Sequence, residues 1–195
     1  MLIKISILWL LFFSLHSILA SESVKRFVEE RVSNSFRFYR FVYNLISMII
    51  FSAIVYLLSD FSNHHILFSV HPILKYLAWI LLFSGIVILT WALYSYKMLD
   101  FTGINQLFGR EEIHGKLITS GLNSIVRHPI YFAIILLVIG LSILYPTDLI
   151  LLTSLFCIVY LYIGTTLEER KLIKIFGDEY KAYQKKVNMF IPFLF

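Results

Sequence analysis

The sequence predicts an all-α fold: a polytopic membrane bundle of about five transmembrane helices with a cytoplasmic amphipathic C-terminal helix. Three observations predict it. Of 195 residues, 59% are hydrophobic, more than a soluble domain of this length can bury. The apolar residues gather into runs of near-spanning length. Lys and Arg concentrate in alternate segments between those runs.

Crossing the hydrocarbon takes about 20 apolar residues in a helix. The first candidate span covers 5–20, the second 41–58 and the third 72–96. From Ile130 to Gly164 the chain is apolar except at Pro146-Thr147-Asp148, which reads as a tight turn. That stretch becomes a hairpin of two short spans, 130–145 and 149–166, followed by a tail from 168 to 195. The whole chain reads as one integral membrane domain. Lys4, the apolar run after it and Leu19-Ala20-Ser21 imitate a secretory signal peptide. The thin basic region and the interruption by His16 favour a first helix that is retained.

The basic residues orient these spans. Lys25, Arg26, Arg31, Arg37 and Arg40 follow the first; Lys97, Arg110, Lys116 and Arg127 follow the third; Arg170, Lys171, Lys174, Lys181, Lys185 and Lys186 lie in the tail. Only Lys4 and Lys75 of the 17 fall on the other side. Five spans then put the N-terminus outside and the C-terminus in the cytoplasm. With 15% of residues charged, the net +5 is a topology signal and not a nucleic-acid patch. A single cysteine, Cys157, excludes an internal disulfide and a Cys-based metal cluster. His64, His65 and His71 on an outer loop lack the spacing of a metal site, so no metal is expected.

Four polar features ask for an explanation. Arg127-His128-Pro129 opens the fourth span. Proline suits a first helical turn, which leaves His128 on the loop before it. The helix N-terminus and Arg127 make a place for a carboxylate or phosphate, or a cap with a snorkelling arginine. Glu168-Glu169 closes the fifth span on the same face, where acids oppose the helix dipole unless the helix continues. The hairpin brings one of them within reach of Arg127 or His128. Because neighbours on a helix diverge by about 100°, both are not expected to face one pocket. In the tail, Leu172, Phe176, Tyr180, Tyr183 and Val187 form an apolar stripe with lysines opposite. That stripe either lies on the membrane surface or closes over a pocket. Gly177 and Asp178 read as a C-cap and a new N-cap. The fourth feature is Asp100-Phe-Thr-Gly103-Ile-Asn105-Gln106, which leaves the third span either as a turn or as a ligand-lining segment.

The order Arg127-His128-Pro129-x-Tyr131, Glu168-Glu169, Phe176-Gly177-x-x-Tyr180-x-x-Tyr183 and Pro192 resembles the isoprenylcysteine carboxyl methyltransferase superfamily of membrane enzymes, and reaches to phospholipid N-methyltransferases. His16-Ser17-x-Leu19-Ala20-Ser21, Tyr39-Arg40-x-x-Tyr43-Asn44 and Asp100-Phe-x-Gly103-x-x-Gln106 resemble its NnrU-like and nurim-like branch, which includes methanethiol S-methyltransferases. Asn123-Ser124 departs from the aromatic and arginine residues common there.

The resemblance implies S-adenosylmethionine as methyl donor, bound at the cytoplasmic side. It implies donor contacts from His128, Tyr131, Glu168, Glu169, Tyr180 and Tyr183, with Arg127 and Glu168 as catalytic residues. The acceptor it implies is a small thiol or a lipophilic, prenylcysteine- or lipid-like molecule, with membrane lipid as partner. Two other functions fit the same fold: a non-catalytic nurim-like protein and an NADPH-dependent reductase of related architecture.

Overall fold

The structure, a computed structural model, describes residues 1–32, 36, 38–60, 64–96 and 117–192. Arg37, Lys97, Asp100 to Gln106, Arg110 and Lys116 lie outside the described residues. The helices are α1 (Leu2–Ala20), α2 (Glu22–Arg31), α3 (Tyr39–Ser59), α4 (Pro72–Ser95), α5 (Pro129–Leu144), α6 (Asp148–Phe176) and α7 (Asp178–Gln184). Four of them, α1, α3, α4 and α6, are long and apolar enough to cross a membrane, and α5 is a shorter apolar helix. The protein is an all-α polytopic membrane protein. Large apolar side chains such as Ile49, Trp79, Phe83 and Leu155 lie exposed along these helices, as lipid-facing residues do.

Two compact units emerge. The first holds α1, α2 and α3. Here α1 and α3 run antiparallel: Trp9 meets Phe51 with ring centroids 6.3 Å apart, His16 Nδ1 bonds Ser47 Oγ at 3.0 Å, and the Tyr39 hydroxyl donates to the Leu19 carbonyl at 2.6 Å. Ser21 caps α2 by accepting from the Val24 amide at 3.4 Å.

The second unit holds α4 to α7. In lipid, helices associate through close packing more than through hydrophobic burial, so small residues line their contacts. Ala78, Gly85 and Ala92 are the buried residues of α4, and Pro129, Ala133 and Gly140 those of α5. A Cβ on Gly85 would meet Leu137 Cγ at 2.8 Å and the Ala133 carbonyl at 3.0 Å; one on Gly140 would meet Leu82 Cγ at 2.9 Å and the Ala78 carbonyl at 3.0 Å. The pairing of 85 with 133 and 78 with 140 makes α4 and α5 antiparallel.

At Pro146 the chain reverses into α6. Thr147 caps that helix, accepting from the Ile150 amide at 3.3 Å. Ser142 and Ser154 join the two helices through a 2.6 Å hydroxyl contact. The segment before α4 is tied to the same turn, since the Leu67 amide donates to the Pro146 carbonyl at 3.0 Å. One end of the unit therefore carries the hairpin turn and Lys75. The other gathers the start of α5, the end of α6 and all of α7, with Arg127, Arg170, Lys171, Lys174, Lys181, Lys185 and Lys186.

Two sequence expectations change here. The helix does not close at Glu168-Glu169: α6 is 29 residues long, about 43 Å, and runs on to Phe176. A hydrocarbon layer of about 30 Å leaves its last turns outside, so the two glutamates sit in the interior of a helix projecting from the membrane. The second change concerns Asp178. Gly177, with φ +57°, is both the C-cap of α6 and the N-cap of α7. Asp178 is the first residue of α7, and its carboxylate accepts from Lys181 at 2.8 Å. The positive φ favours glycine, which turns the chain sharply enough for α7 to fold back.

Candidate functional site

The site is built at the projecting end of α6. Arg127 and His128 come from the loop that precedes α5, where Gly121 to Ser124 form a single 3-10 turn. Pro129 forces His128 out of helical geometry (φ −125°, ψ 72°), which aims its ring back toward α6. Tyr131, in the first turn of α5, stacks on that ring with centroids 5.6 Å apart and planes 8° from parallel.

Glu169 is the centre of a buried network. Its Oε1 accepts from Arg127 Nε at 2.6 Å, from His128 Nε2 at 3.1 Å and from the Tyr180 hydroxyl at 3.4 Å. Its Oε2 accepts from Gln184 Nε2 at 2.8 Å. The side chains of Arg127 and Glu169 are both 9% exposed. Burial pushes the Glu169 carboxyl up, but the hydrogen bonds from His128 and Arg127 and their charges outweigh it and hold the group at about 2. Burial and the neighbouring Glu169 charge push the Tyr180 hydroxyl well above its ordinary range. The carboxylate received by Arg127 and His128 at the head of α5 is thus the protein's own.

Glu168 differs from its neighbour. Its side chain is 44% exposed. Its Oε2 accepts from the Tyr131 hydroxyl at 2.9 Å and stands 3.7 Å from His128 Nδ1. Its Oε1 has no partner among the described residues. Both glutamates therefore reach the same histidine, contrary to the expectation from their 100° divergence. The imidazole lies between them and offers one nitrogen to each. Glu169, as a carboxylate, only accepts, so His128 Nε2 carries a proton.

The tail seals the other side. Arg127 Nη1 donates to the carbonyls of Gln184 at 3.2 Å and Val187 at 2.5 Å. The Arg127 amide donates to the Asn188 carbonyl at 2.8 Å and the His128 amide to the Met189 carbonyl at 3.2 Å, a short parallel pairing. Arg127 Nη2 is left without a partner among the described residues. Tyr180 and Tyr183 are turned into the protein, 1% and 7% exposed. Tyr183 donates to the Asn123 carbonyl at 2.5 Å, which ties α7 to the loop before α5. The stripe of apolar tail residues faces inward, and Lys171, Lys174, Lys181, Lys185 and Lys186 are exposed.

The structure thus brings Arg127, His128, Tyr131, Glu168, Glu169 and Tyr180 into one connected cluster and places Tyr183 beside it, packed edge-on against Tyr180 at 5.8 Å. Gln184 and the carbonyls of Val187, Asn188 and Met189 are members that sequence reasoning missed. Main-chain acceptors carry no side-chain signature. The available cue for Gln184 is its place one residue after Tyr183, on a segment whose apolar stripe reads either as lying on the membrane surface or as closing over a pocket. Two of the histidines between α3 and α4 make other contacts: His64 Nε2 bonds the Leu58 carbonyl at 3.0 Å, and His71 Nδ1 accepts from the Ile73 amide at 3.3 Å.

Comparison with known proteins adds the family. Residues 73–179 match the model of the phospholipid methyltransferase family. Over 119 residues, 60% of this chain, the sequence is 31% identical to methanethiol S-methyltransferase 1 of Bradyrhizobium diazoefficiens. Over 82 residues, 42% of this chain, it is 37% identical to methanethiol S-methyltransferase of Pseudomonas deceptionensis. These matches span 40% and 30% of the relatives' own lengths. No solved structure matches. The matched region includes Arg127, His128, Tyr131 and both glutamates, and on it the chain belongs to the phospholipid methyltransferase family, within the isoprenylcysteine carboxyl methyltransferase-like superfamily that its motifs resemble.

Proposed function

We propose that the protein is a membrane-embedded, S-adenosylmethionine-dependent methyltransferase acting on a small thiol such as methanethiol, or on a lipophilic, prenylcysteine- or lipid-like acceptor. The donor site centres on Glu168, His128 and Tyr131. One observation carries this reading: of two adjacent glutamates, Glu169 has both oxygens bonded within the chain, whereas Glu168 is half exposed beside a histidine and a tyrosine ring. A carboxylate kept open at such a mouth suits a cationic ligand. Family membership and the two S-methyltransferase relatives support the same class of chemistry.

The residues suit the donor's parts. Glu168 complements an amino group or ribose hydroxyls. The stacked rings of His128 and Tyr131 offer an aromatic face to an adjacent cation. The remaining Nη2 of Arg127 suits an anion, either the donor's carboxylate or an acceptor thiolate. When bound, S-adenosylmethionine supplies an electrophilic methyl group on sulfur. The chain's contribution is then to hold donor and acceptor in line and keep water from the cation. A thiolate acceptor needs no base, because it arrives deprotonated.

We place this mouth on the cytoplasmic side, with the N-terminus outside. The support is the concentration of basic residues at this end of the second unit, against Lys75 alone at the other. Protease accessibility of a C-terminal tag in inside-out vesicles tests the orientation. Donor binding tests the function: the full chain in nanodiscs should bind S-adenosylmethionine and not NADPH. Labelled methyl should then pass to methanethiol, a farnesylcysteine analogue or phosphatidylethanolamine. Binding of NADPH in place of S-adenosylmethionine would assign a reductase, and binding of neither a non-catalytic protein.

A further inference from the structure

We infer that Gln184, in the tail beyond the family match, is the positioning residue that fixes the Glu169 carboxylate and through it the His128 ring. The family match ends at residue 179, and Gln184 lies past it on α7. Its side-chain amide is the donor to Glu169 Oε2, at 2.8 Å, while its own carbonyl accepts from Arg127 Nη1 at 3.2 Å. One residue thus grips both members of the buried ion pair, by side chain and by main chain.

The division of labour between the two carboxylate oxygens gives this contact its consequence. Oε1 serves Arg127, His128 and Tyr180 together, whereas Oε2 has Gln184 alone among the described residues. The terminal torsion of a glutamate is broad and nearly two-fold, so the carboxylate plane is set by its partners. With Gln184 holding Oε2, Oε1 stays in the angle between the guanidinium and the imidazole. Without it, the carboxylate is free to turn Oε2 toward Arg127, which offers Nε and the open Nη2 for a two-point contact. The His128 Nε2 bond is the one lost in that rotation. The ring then loses the contact that fixes its tautomer and orientation at Nε2. Tyr180 does not substitute, because its hydroxyl reaches only Oε1, at 3.4 Å.

The effect on turnover rests on the methyltransferase reading; the effect on His128 does not. The test therefore has two arms on the full chain in nanodiscs. In the first, 15N-histidine NMR reads the His128 tautomer, its signal assigned by His128→Gln. The wild type should show the Nε2-protonated form. Gln184→Met, of similar length without a donor, should shift the signal toward a mixture, and Gln184→Lys, which restores a donor, should return it. In the second arm, Gln184→Met should raise KM for S-adenosylmethionine about tenfold, the scale of a lost hydrogen bond to a charged group, with a smaller change in kcat. Lys185→Met, an exposed neighbour, should match the wild type in both arms. A His128 signal unchanged in Gln184→Met overturns the inference, as does a change that Gln184→Lys fails to reverse. A wild type that shows the tautomer shift on mutation but transfers no methyl overturns the proposed chemistry and leaves this assignment standing.

Discussion

Arg127 Nε and Glu169 Oε1 stand 2.6 Å apart across 42 residues of chain, with both side chains 9% exposed. The pair joins the loop before α5 to the projecting end of α6, and the tail closes over it. Removing one partner of such a pair leaves a charge buried and uncompensated, at a cost of about 3–5 kcal/mol. Glu169→Ala should therefore lower the unfolding midpoint in detergent sharply, by an amount in that range, and Arg127→Ala likewise. The double variant should cost less than the sum of the two, as a thermodynamic cycle would read directly.

Acid should weaken the same contact. The Glu169 carboxyl is held at about 2 against an ordinary 4.5, so the folded protein binds its proton less readily than the unfolded chain. A depressed value means the stabilisation is complete above about pH 4.5 and is lost as pH falls from there toward 2. Unfolding temperature measured across that window should fall with acid in the wild type, and Glu169→Gln should flatten the part of the curve that this group supplies.

The contact of α4 with α5 depends on the absence of side chains at Gly85 and Gly140. Leucine at either position would force the helices apart against the Ala133 or Ala78 carbonyl. Overpacking of this kind costs about 1–3 kcal/mol. Gly140→Leu should reduce the folded fraction recovered on size exclusion, while leucine at Gly164, where nothing lies within 4 Å of a new Cβ, should be tolerated.

Much of this architecture was legible in the chain. Apolar runs marked the helices, Pro146 marked the hairpin, and Arg127 and His128 fell on the same face as Glu168 and Glu169 because an antiparallel hairpin returns to its starting side. What escaped was set by geometry finer than periodicity. That one imidazole meets two adjacent glutamates depends on a ring lying between them, which helical spacing does not encode. Gly177 marked a helix end after Phe176, but the unbroken passage of α6 through Glu168-Glu169 was hidden because a hydropathy pattern reports where lipid ends and not where a helix does. The grip of the tail on Arg127 uses the carbonyls of Gln184 and Val187, which every residue type possesses.

Glu168 should behave unlike Glu169. Its side chain is 44% exposed and, among the described residues, bonds Tyr131 alone, with His128 at longer range. Glu168→Gln should leave the unfolding free energy within about 0.5 kcal/mol of the wild type, because the exposed side chain keeps an oxygen to accept from Tyr131. Circular dichroism melts in the same detergent would check it.

The most direct measurement is methyl transfer from labelled S-adenosylmethionine to methanethiol by the purified full chain, comparing wild type with Glu168→Gln. The account predicts transfer by the wild type and a loss of about tenfold or more in kcat/KM for the variant, which stays folded; each tenfold corresponds to about 1.4 kcal/mol of transition-state stabilisation. Equal rates in the two proteins would contradict the placement of the donor at Glu168. No donor binding by the folded wild type, and no transfer to thiol, prenylcysteine or lipid, would contradict the methyltransferase reading itself.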